Sequence, residues 1–423
     1  MRPLSTLFKQ RRFPADRVGM RMPSLRRSVL SLALILALVP AYPAVAADDD
    51  GDAGSGPVAP APRAPSQLKF SDVGSGLAWA APAIRYVAQD RHWMDDFGSE
   101  EFRPNAIERR KWFARAIVRA FAPGEDPDPN ITFTDLAEGS KYWEYANVAV
   151  KMGWLRRTKA GAFKPGAGVT MSMVHEALVK ALPLRDEVAG LDDIHAADGY
   201  RFAHTPKFPY ILIGMRLHFR YNHPTEGQDI APPDRLPRSE VAYSLWRAAT
   251  TDQWDIAAIS KFQNIQLPAV SKWKRKWIEF GIRWVGYPYV WGGEWYERSP
   301  SGYCCGAQPV GGFDCSGLMW WALKKPANGY NNRFIRKYEG WALPQRSSAD
   351  MASQGKRLSY KDARPGDLMF YDGDSNGSVD HVDVYLGNGW AFDSSSGMGG
   401  VTILRVGEGW YKDHFKHARS IMN

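Results

Sequence analysis

The residue types that could do chemistry gather in the last third of this 423-residue chain. Cys315 lies within Gly312-Phe313-Asp314-Cys315-Ser316-Gly317-Leu318, between an aspartate suited to cap a helix and small residues suited to open one. Leu318-Met319-Trp320-Trp321-Ala322-Leu323 continues that helix as an apolar run, and Lys324-Lys325-Pro326 adds a C-terminal charge bias and a stop. A thiol in the first helical turn sits among unpaired backbone N–H groups at the positive end of the dipole, which favours the nucleophilic thiolate. A lone cysteine is otherwise a buried structural residue. Three segments set this one apart: Tyr289-Val290-Trp291-Gly292-Gly293 upstream, then Pro365-Gly366-Asp367-Leu368-Met369-Phe370-Tyr371 and His381-Val382-Asp383-Val384-Tyr385-Leu386-Gly387 downstream. His381 follows Cys315 by 66 residues and opens a strand. There Val382, Val384 and Leu386 alternate with His381, Asp383 and Tyr385, so the latter three share a face expected to look at the cysteine. A thiolate beside an imidazole is equipped for acyl transfer.

In that order, these segments resemble the NlpC-type family of papain-like cell-wall cysteine peptidases, over about residues 271–423. The resemblance implies an endopeptidase that cuts peptidoglycan stem peptides, often between D-glutamate and diaminopimelate, with Cys315 as nucleophile and His381 as base. It makes Tyr289 a border of the substrate pocket and gives Asp314 and Ser316 a part in holding the stem peptide's free amine. The physical reading of Asp314 is a helix N-cap, and both roles are compatible. At the orienting position, where the family usually has His, Asn or Gln, this chain has Asp393, 12 residues after His381. A carboxylate accepts the same hydrogen bond from imidazole and also stabilises imidazolium. Asp383 stands where the family usually has glycine, and a second carboxylate there is expected to raise the imidazole pKa or narrow the pocket.

The implied fold class is α+β: a nucleophile helix packed on an antiparallel sheet, with a hairpin turning at Gly387-Asn388-Gly389 and returning through Trp390 to Asp393. Arg346-Ser347-Ser348 resembles a motif that commonly precedes this sheet. No cofactor is expected. Asp372, Asp374, Asn376, Gly377, Val379, Asp380 and Asp383 fall at positions 1, 3, 5, 6, 8, 9 and 12 of a calcium-loop template. Position 12 is Asp rather than the longer Glu, and the same composition makes an ordinary hairpin turn. Cys304 and Cys305 are adjacent, so a vicinal disulfide and two free thiols are both open, and either leaves Cys315 free.

The elements that must position this chemistry begin far upstream. Segment 1–46 carries a net charge of +7 out of +9 for the whole chain, so the basic balance gives no footprint for nucleic acid. Val29 to Val39 is an apolar core of signal-peptide length ahead of Ala44-Val45-Ala46, implying export to the cell wall and no transmembrane segment after cleavage. Residues 47–68 are acidic, then Pro-, Ala-, Gly- and Ser-rich, the composition of a solvated linker.

Residues 69–250 hold a degenerate repeat. Phe70-Ser71-Asp72-Val73 is echoed 63 residues on by Phe133-Thr134-Asp135-Leu136, and Phe102-Arg103-Pro104 by Phe163-Lys164-Pro165. Second helices follow at Arg109 to Phe121, Met171 to Leu182 and Arg238 to Ala249, giving three two-helix units. The pattern resembles the S-layer homology domain, an all-α bundle of three repeats that holds cell-wall polysaccharide. Arg238-Ser239-Glu240 keeps that family's Arg-x-Glu signature, whereas Arg109-Arg110-Lys111 and Met171-Ser172-Met173 depart from it. A spacer that merely orients the enzyme is the competing reading. Residues 251–270 read as a connector, followed from Ser271 by a helix with Trp273, Trp277, Phe280 and Trp284 along one stripe. The two parts are expected to act separately, the repeats binding wall and residues 271–423 cutting peptide. Two alternatives stand beside the endopeptidase: a wall-bound protein that binds stem peptides without cutting them, and an amidase or acyltransferase using the same thiol.

Overall fold

A computed structural model describes residues 68–94, 97–98, 100–225, 228–295, 311–324 and 346–420. The segments read as signal peptide and linker, apart from residue 68, lie outside these residues, as do Cys304 and Cys305. All that is described falls in one compact unit, Ala46–Asn423.

The N-terminal half is helical: α1 (Ala81–Ile84, running into a π-helical turn at Arg85–Asp90), α2 (Arg110–Phe121), α3 (Trp143–Lys151), α4 (Met171–Ala181), α5 (Arg185–Asp192), α6 (Phe208–Arg216) and α7 (Arg238–Thr250). Both Phe-x-Asp motifs do the same work. Asp72 accepts from the N–H groups of Phe102 and Arg103 at 2.9 and 2.6 Å, and Asp135 from those of Phe163 and Lys164 at 2.7 and 2.8 Å. Each carboxylate thus satisfies backbone donors that its loop would otherwise orphan.

Helices α2, α4 and α7 start side by side around a closed ring of backbone hydrogen bonds. Glu108 N–H donates to Leu236, Leu236 N–H to Val169, and Val169 N–H to Glu108, at 2.9, 3.0 and 3.0 Å. The relation recurs at the helix starts, where Arg110 donates to Ala167, Met171 to Asp234 and Arg238 to Ala106. Three units therefore meet with pseudo-threefold geometry. Arg238 opens α7 with no exposed surface, its Nη1 2.8 Å from Glu108, its Nε donating to the Phe102 carbonyl and its guanidinium 4.5 Å from the Phe102 ring centre. Arg110 opens α2 in the same way, with Nε donating to the Phe163 carbonyl at 2.7 Å and the guanidinium 4.7 Å from that ring centre. The first unit thus keeps the arginine that the sequence alignment placed out of register. Arg109 is the extended N-cap, and Arg110 is the counterpart of Arg238.

Residues 253–267 are not a bare connector. They form α8 (Gln253–Ile259), closed by an Asp252/Asp255 capping box, and a 3₁₀ turn at Ser260–Asn264. Then β2 (Gln266–Leu267) pairs in parallel with β1 (His195–Ala196). Phe262, Ile265 and Leu267 are fully buried, and Gly190 in α5 is needed because an added Cβ would lie 2.2 Å from the Phe262 carbonyl oxygen. Helix α9 (Lys272–Ile282) follows, and its buried Glu279 accepts from Tyr200 Oη at 2.6 Å and from Ala203 N–H at 3.0 Å. One apolar core runs without a break from Leu212 and Phe219 in the helical half through Phe262 and Phe280 to Phe392 and Val401. The two parts read from the sequence share this core.

After the short pair β3 (Glu294–Trp295) and β4 (Gly312–Phe313) comes α10 (Cys315–Lys324). The remaining strands are β5 (Lys356–Leu358), β6 (Leu368–Tyr371), β7 (His381–Gly387), β8 (Trp390–Ser395), β9 (Gly400–Arg405) and β10 (Phe415–Ser420). They form one antiparallel sheet in the order β5-β10-β6-β7-β8-β9. One face, with Phe370, Val382, Val384 and Phe392, shares the core that includes Leu318 and Met319 of α10. Met369, Tyr371, Tyr385, Ala391 and Leu404 form a second core on the other face. The alternation along β7 is as read from sequence, but the side that meets the helix is the valine side. Asp383 and Tyr385 turn away from α10.

Candidate active site

Cys315 is the first residue of α10, 6 % exposed and free. The turn that presents it is built around Asp314. Asp314 Oδ1 accepts from Gly317 N–H at 2.5 Å, the N-cap bond, and from Ser316 Oγ at 3.1 Å; Oδ2 accepts from Gly292 N–H at 2.9 Å. Arg346 then grips both carboxylate oxygens at 2.9 Å and reaches Ser316 Oγ at 2.7 Å, the Gly293 carbonyl at 2.9 Å and Glu294 at 3.2 Å. Burial works against the charge on Arg346, but Asp314 and Glu294 outweigh it and hold the guanidinium protonated. Gly317 permits this knot, because a Cβ there would lie 1.8 Å from the Gly293 carbonyl oxygen. Asp314 and Ser316 are brought together as the sequence suggested, and both are bonded within the chain. Tyr289 lies alongside, its N–H donating to Gly399 at 3.1 Å and its backbone bridging to Phe313.

His381 opens β7 directly across from Tyr371. Its Nε2 is 3.0 Å from Asp393 Oδ1, at ion-pair distance but with the ring turned so that neither atom makes an aligned hydrogen bond. With Nε2 facing Asp393, Nδ1 is the nitrogen left for the thiol. Burial pulls the imidazole pKa down, yet the Asp393 charge beside it, with the hydrogen bond to Cys315, drives it well above the ordinary histidine value. Asp393 is fully buried in β8 and accepts from Tyr411 Oη at 2.7 Å through Oδ2. Trp410 and Tyr411, in the short helix Gly409–Asp413, and Tyr371 pack around the imidazole, with ring centres 5.8 to 6.2 Å away. Cys315 and Asp393 therefore both bear on the His381 imidazole, a thiol on one side of the set and a carboxylate on the other.

The sequence did not reveal Tyr411, whose five-residue helix carries no motif, or the role of Arg346, noted only for its place before the sheet. Asp383 is fully buried and accepts from Tyr371 Oη at 2.7 Å, so it neither lines the helix-facing side nor closes a calcium loop. Asp372, Asp374 and Asp380 do lie within reach of one another. Asp372, however, accepts from Asn376 N–H, Gly377 N–H and Lys416 Nζ, and Asp380 from Gly373 and Asp374 N–H. Those oxygens fold the turn, Asn376 caps within it, and Asp383 at position 12 of the template bonds to Tyr371 instead. The loop carries the hydrogen bonds of a hairpin turn.

Residues 286–420 match the NlpC/P60 family. They form an NlpC/P60 domain. The bifunctional muramidase/DL-endopeptidase CwlT of Bacillus subtilis is 31% identical over 134 residues, 31% of this chain and 32% of its own length. The peptidoglycan endopeptidase RipB of Mycobacterium tuberculosis is 35% identical over 136 residues, 31% of this chain and 49% of its own. A solved structure of RipB, at 30% identity, covers 36% of this chain and 69% of that one with a TM-score of 0.26. The chain thus spans a third to a half of the curated relatives it matches. The three helical units lie outside the matched residues. No helix among the described residues is long and apolar enough to cross a membrane.

Proposed function

We propose that this protein is a peptidoglycan endopeptidase, cutting stem peptides at D-γ-glutamyl–diamino-acid bonds through a thioester on Cys315. The observation that carries the reading is the set of Cys315, His381 and Asp393. His381 takes the thiol proton, and the sulfur adds to the scissile carbonyl. The imidazolium then protonates the leaving amine, and the C–N bond breaks to leave an acyl-enzyme. Water, deprotonated by the now neutral imidazole, attacks the thioester, and the proton returns to sulfur. Asp393 holds the ring and offsets its charge at each imidazolium stage. The aspartate at this position does the work usually given to His, Asn or Gln, and the groups it meets are His381 at 3.0 Å and the Tyr411 hydroxyl at 2.7 Å. Beside the nucleophile, Asp314, Ser316, Arg346 and Glu294 form a polar wall suited to the charged amine of a stem peptide, with Tyr289 at its border.

The helical units tether the exported enzyme to wall polysaccharide in this reading. What supports it is the groove between the first and third units, a cavity of about 500 Å³ lined by Asp72, Trp79, Asn105, His223, Ser239 and Glu240. Trp79 stacks on Tyr221 at 4.5 Å, giving an aromatic platform beside hydroxyl, amide and carboxylate groups. Digestion of purified walls followed by mass spectrometry of the muropeptides tests the activity. Released peptides ending at D-glutamate support it. Walls left intact by wild type but retained on the protein point to the non-catalytic reading, and cleavage at the glycan–peptide amide points to an amidase. Cys315→Ala is expected to lose several orders of magnitude in rate while still binding wall.

A further inference from the structure

Beside the proposed catalytic set lies a second buried acid with no part in it. The register of β7 against β8, Val384 opposite Phe392 and Tyr385 opposite Ala391, sets Asp383 across from Asp393. Both side chains are fully buried. Each takes one tyrosine hydroxyl at 2.7 Å, Asp383 from Tyr371 and Asp393 from Tyr411. Oδ1 of each acid is buried without an aligned hydrogen bond, and what separates them among the described residues is the cation in contact: His381 Nε2 lies 3.0 Å from Asp393 Oδ1. Cross-strand neighbours stand about 5 Å apart at Cβ. Two carboxylates this close, out of water and facing one imidazolium, cannot both hold a charge.

We propose that Asp383 is a positioning residue that stays a neutral acid, so that the buried pair carries one negative charge and that charge resides on Asp393 against His381. This rests on the thiol-hydrolase reading of the site. The groups facing Asp383 are His381 on its own strand, Tyr371 on β6, Asp393 on β8, and Tyr360 and Tyr411 from the segments over that face. His381 is the one cation among the described residues that acts on it. Burial first, and Asp393 second, push the Asp383 carboxyl well above the usual carboxylate range, against the Tyr371 bond. The neutral acid has a consequence for turnover. Its carbonyl oxygen Oδ2, accepting from Tyr371, keeps that ring and the β7–β8 pair in place behind the imidazole, without a second charge that would lock His381 as imidazolium. A locked imidazolium cannot serve as base when water attacks the thioester.

The test follows the His381 imidazole by NMR titration in full-length protein carrying Cys315→Ala, which needs no turnover and so stands apart from the hydrolysis assay. Adding Asp383→Asn removes a proton site but no charge, and the His381 midpoint is expected to stay within about 0.3 units. A fall of a unit or more shows that Asp383 carried charge and overturns the proposal. Asp393→Asn is the control, expected to lower the midpoint by more than a unit. In the Cys315 enzyme, Asp383→Leu is expected to lose about tenfold in kcat at unchanged KM, with Asp383→Asn recovering most of it. Unchanged kcat in Asp383→Leu removes the positioning role. Should either variant fail to fold, carboxyl ¹³C titration of wild type decides alone: the Asp383 resonance remains that of a protonated acid at pH 8, and a carboxylate resonance there overturns the proposal. If wild type cuts no wall but the titrations behave as stated, the functional reading fails and the charge assignment stands.

Discussion

Tyr411 offers a clean perturbation of the catalytic set, because its hydroxyl touches Asp393 and not His381 or Cys315. Tyr411→Phe removes one oxygen and leaves the ring packed against Tyr371 and Trp410. The bond lost is a 2.7 Å donor to a buried anion. Hydrogen bonds to charged groups contribute about 1.5–3 kcal/mol. At about 2 kcal/mol, the lost bond weakens the support of the buried Asp393 carboxylate. Part of that passes to His381, whose raised pKa depends on the same anion. The imidazolium is favoured below the His381 pKa and lost as pH rises through it, so weakening its support moves the alkaline limb of kcat/KM to lower pH. A shift of about one unit and a loss of about tenfold at pH 8 are expected, with little change near pH 6. The assay is kcat/KM on a soluble stem peptide between pH 5 and 10. Alkylation of Cys315 by iodoacetamide over the same range reads the thiolate without turnover. An unmoved limb with activity within twofold of wild type refutes the claim that Asp393 carries the charge that supports His381.

Arg346→Ala should raise KM for stem peptides at least tenfold, since Asp314 then turns from its clamp; kinetics on free-amine and amine-blocked peptides checks this, and equal loss on both refutes a part in recognising the amine. Arg238→Met should cost about 3–5 kcal/mol in urea unfolding, because it strands a buried Glu108, while Arg238→Met with Glu108→Leu should recover most of it. The Glu108 carboxyl already sits at about 7 instead of 4.5, mainly from burial. An acid raised on folding lends stability that is full below about 4.5 and lost as pH rises through about 7. The Arg238→Met variant should therefore lose stability more steeply with rising pH, as its urea midpoints at pH 5 and pH 8 will show. Residues 271–423 alone should melt well below the full chain and cut more slowly, because Phe262, Ile265 and Leu267 are cut away from the shared core; matching melting curves would refute this.

Cys315, His381 and Asp393 were legible as a candidate set because chemistry ties residue type to element position: a cysteine at a helix start, a histidine at a strand start, an acid on the paired strand. The register of β7 was legible too, since alternation has only two phases. Which phase faced the helix was not. Both faces of this sheet are buried, so Val382 and Tyr385 are equally at home in a core and polarity gives no sign of sidedness. Asp383 looked like an active-site acid because a carboxylate in a strand usually marks a wet face. Its burial depends on a tyrosine 12 residues earlier, a pairing no local pattern announces. The repeat was visible in its Phe-x-Asp loops, where each aspartate has a fixed task. Its alignment slipped by one at Arg109, since consecutive arginines hide where a helix begins.

The join between the halves was the least legible feature, and it bears directly on function. Arg220, buried after α6, donates to the carbonyls of Ile230, Gly286 and Gly399, and Asn222 donates to that of Ser396. Apart from Ile230, which lies between α6 and α7, those acceptors belong to the chain just before Tyr289 and to the loop entering β9. The two stretches are themselves joined, by Gly286 and Tyr289 N–H donating to Val401 and Gly399. A side chain of the third helical unit thus ties together the chain leading to Tyr289 and the loop entering the sheet that holds His381. In a freely linked pair of modules, tethering would act only by raising local substrate concentration. Here the border of the cleft is part of the same packed body as the groove at Trp79. Under the proposed tethering, a polymer seated in that groove would fix the direction from which a stem peptide approaches Cys315. The energetic link is equally direct, since any motion that frees the repeats must first leave the buried Arg220 guanidinium without its carbonyl partners.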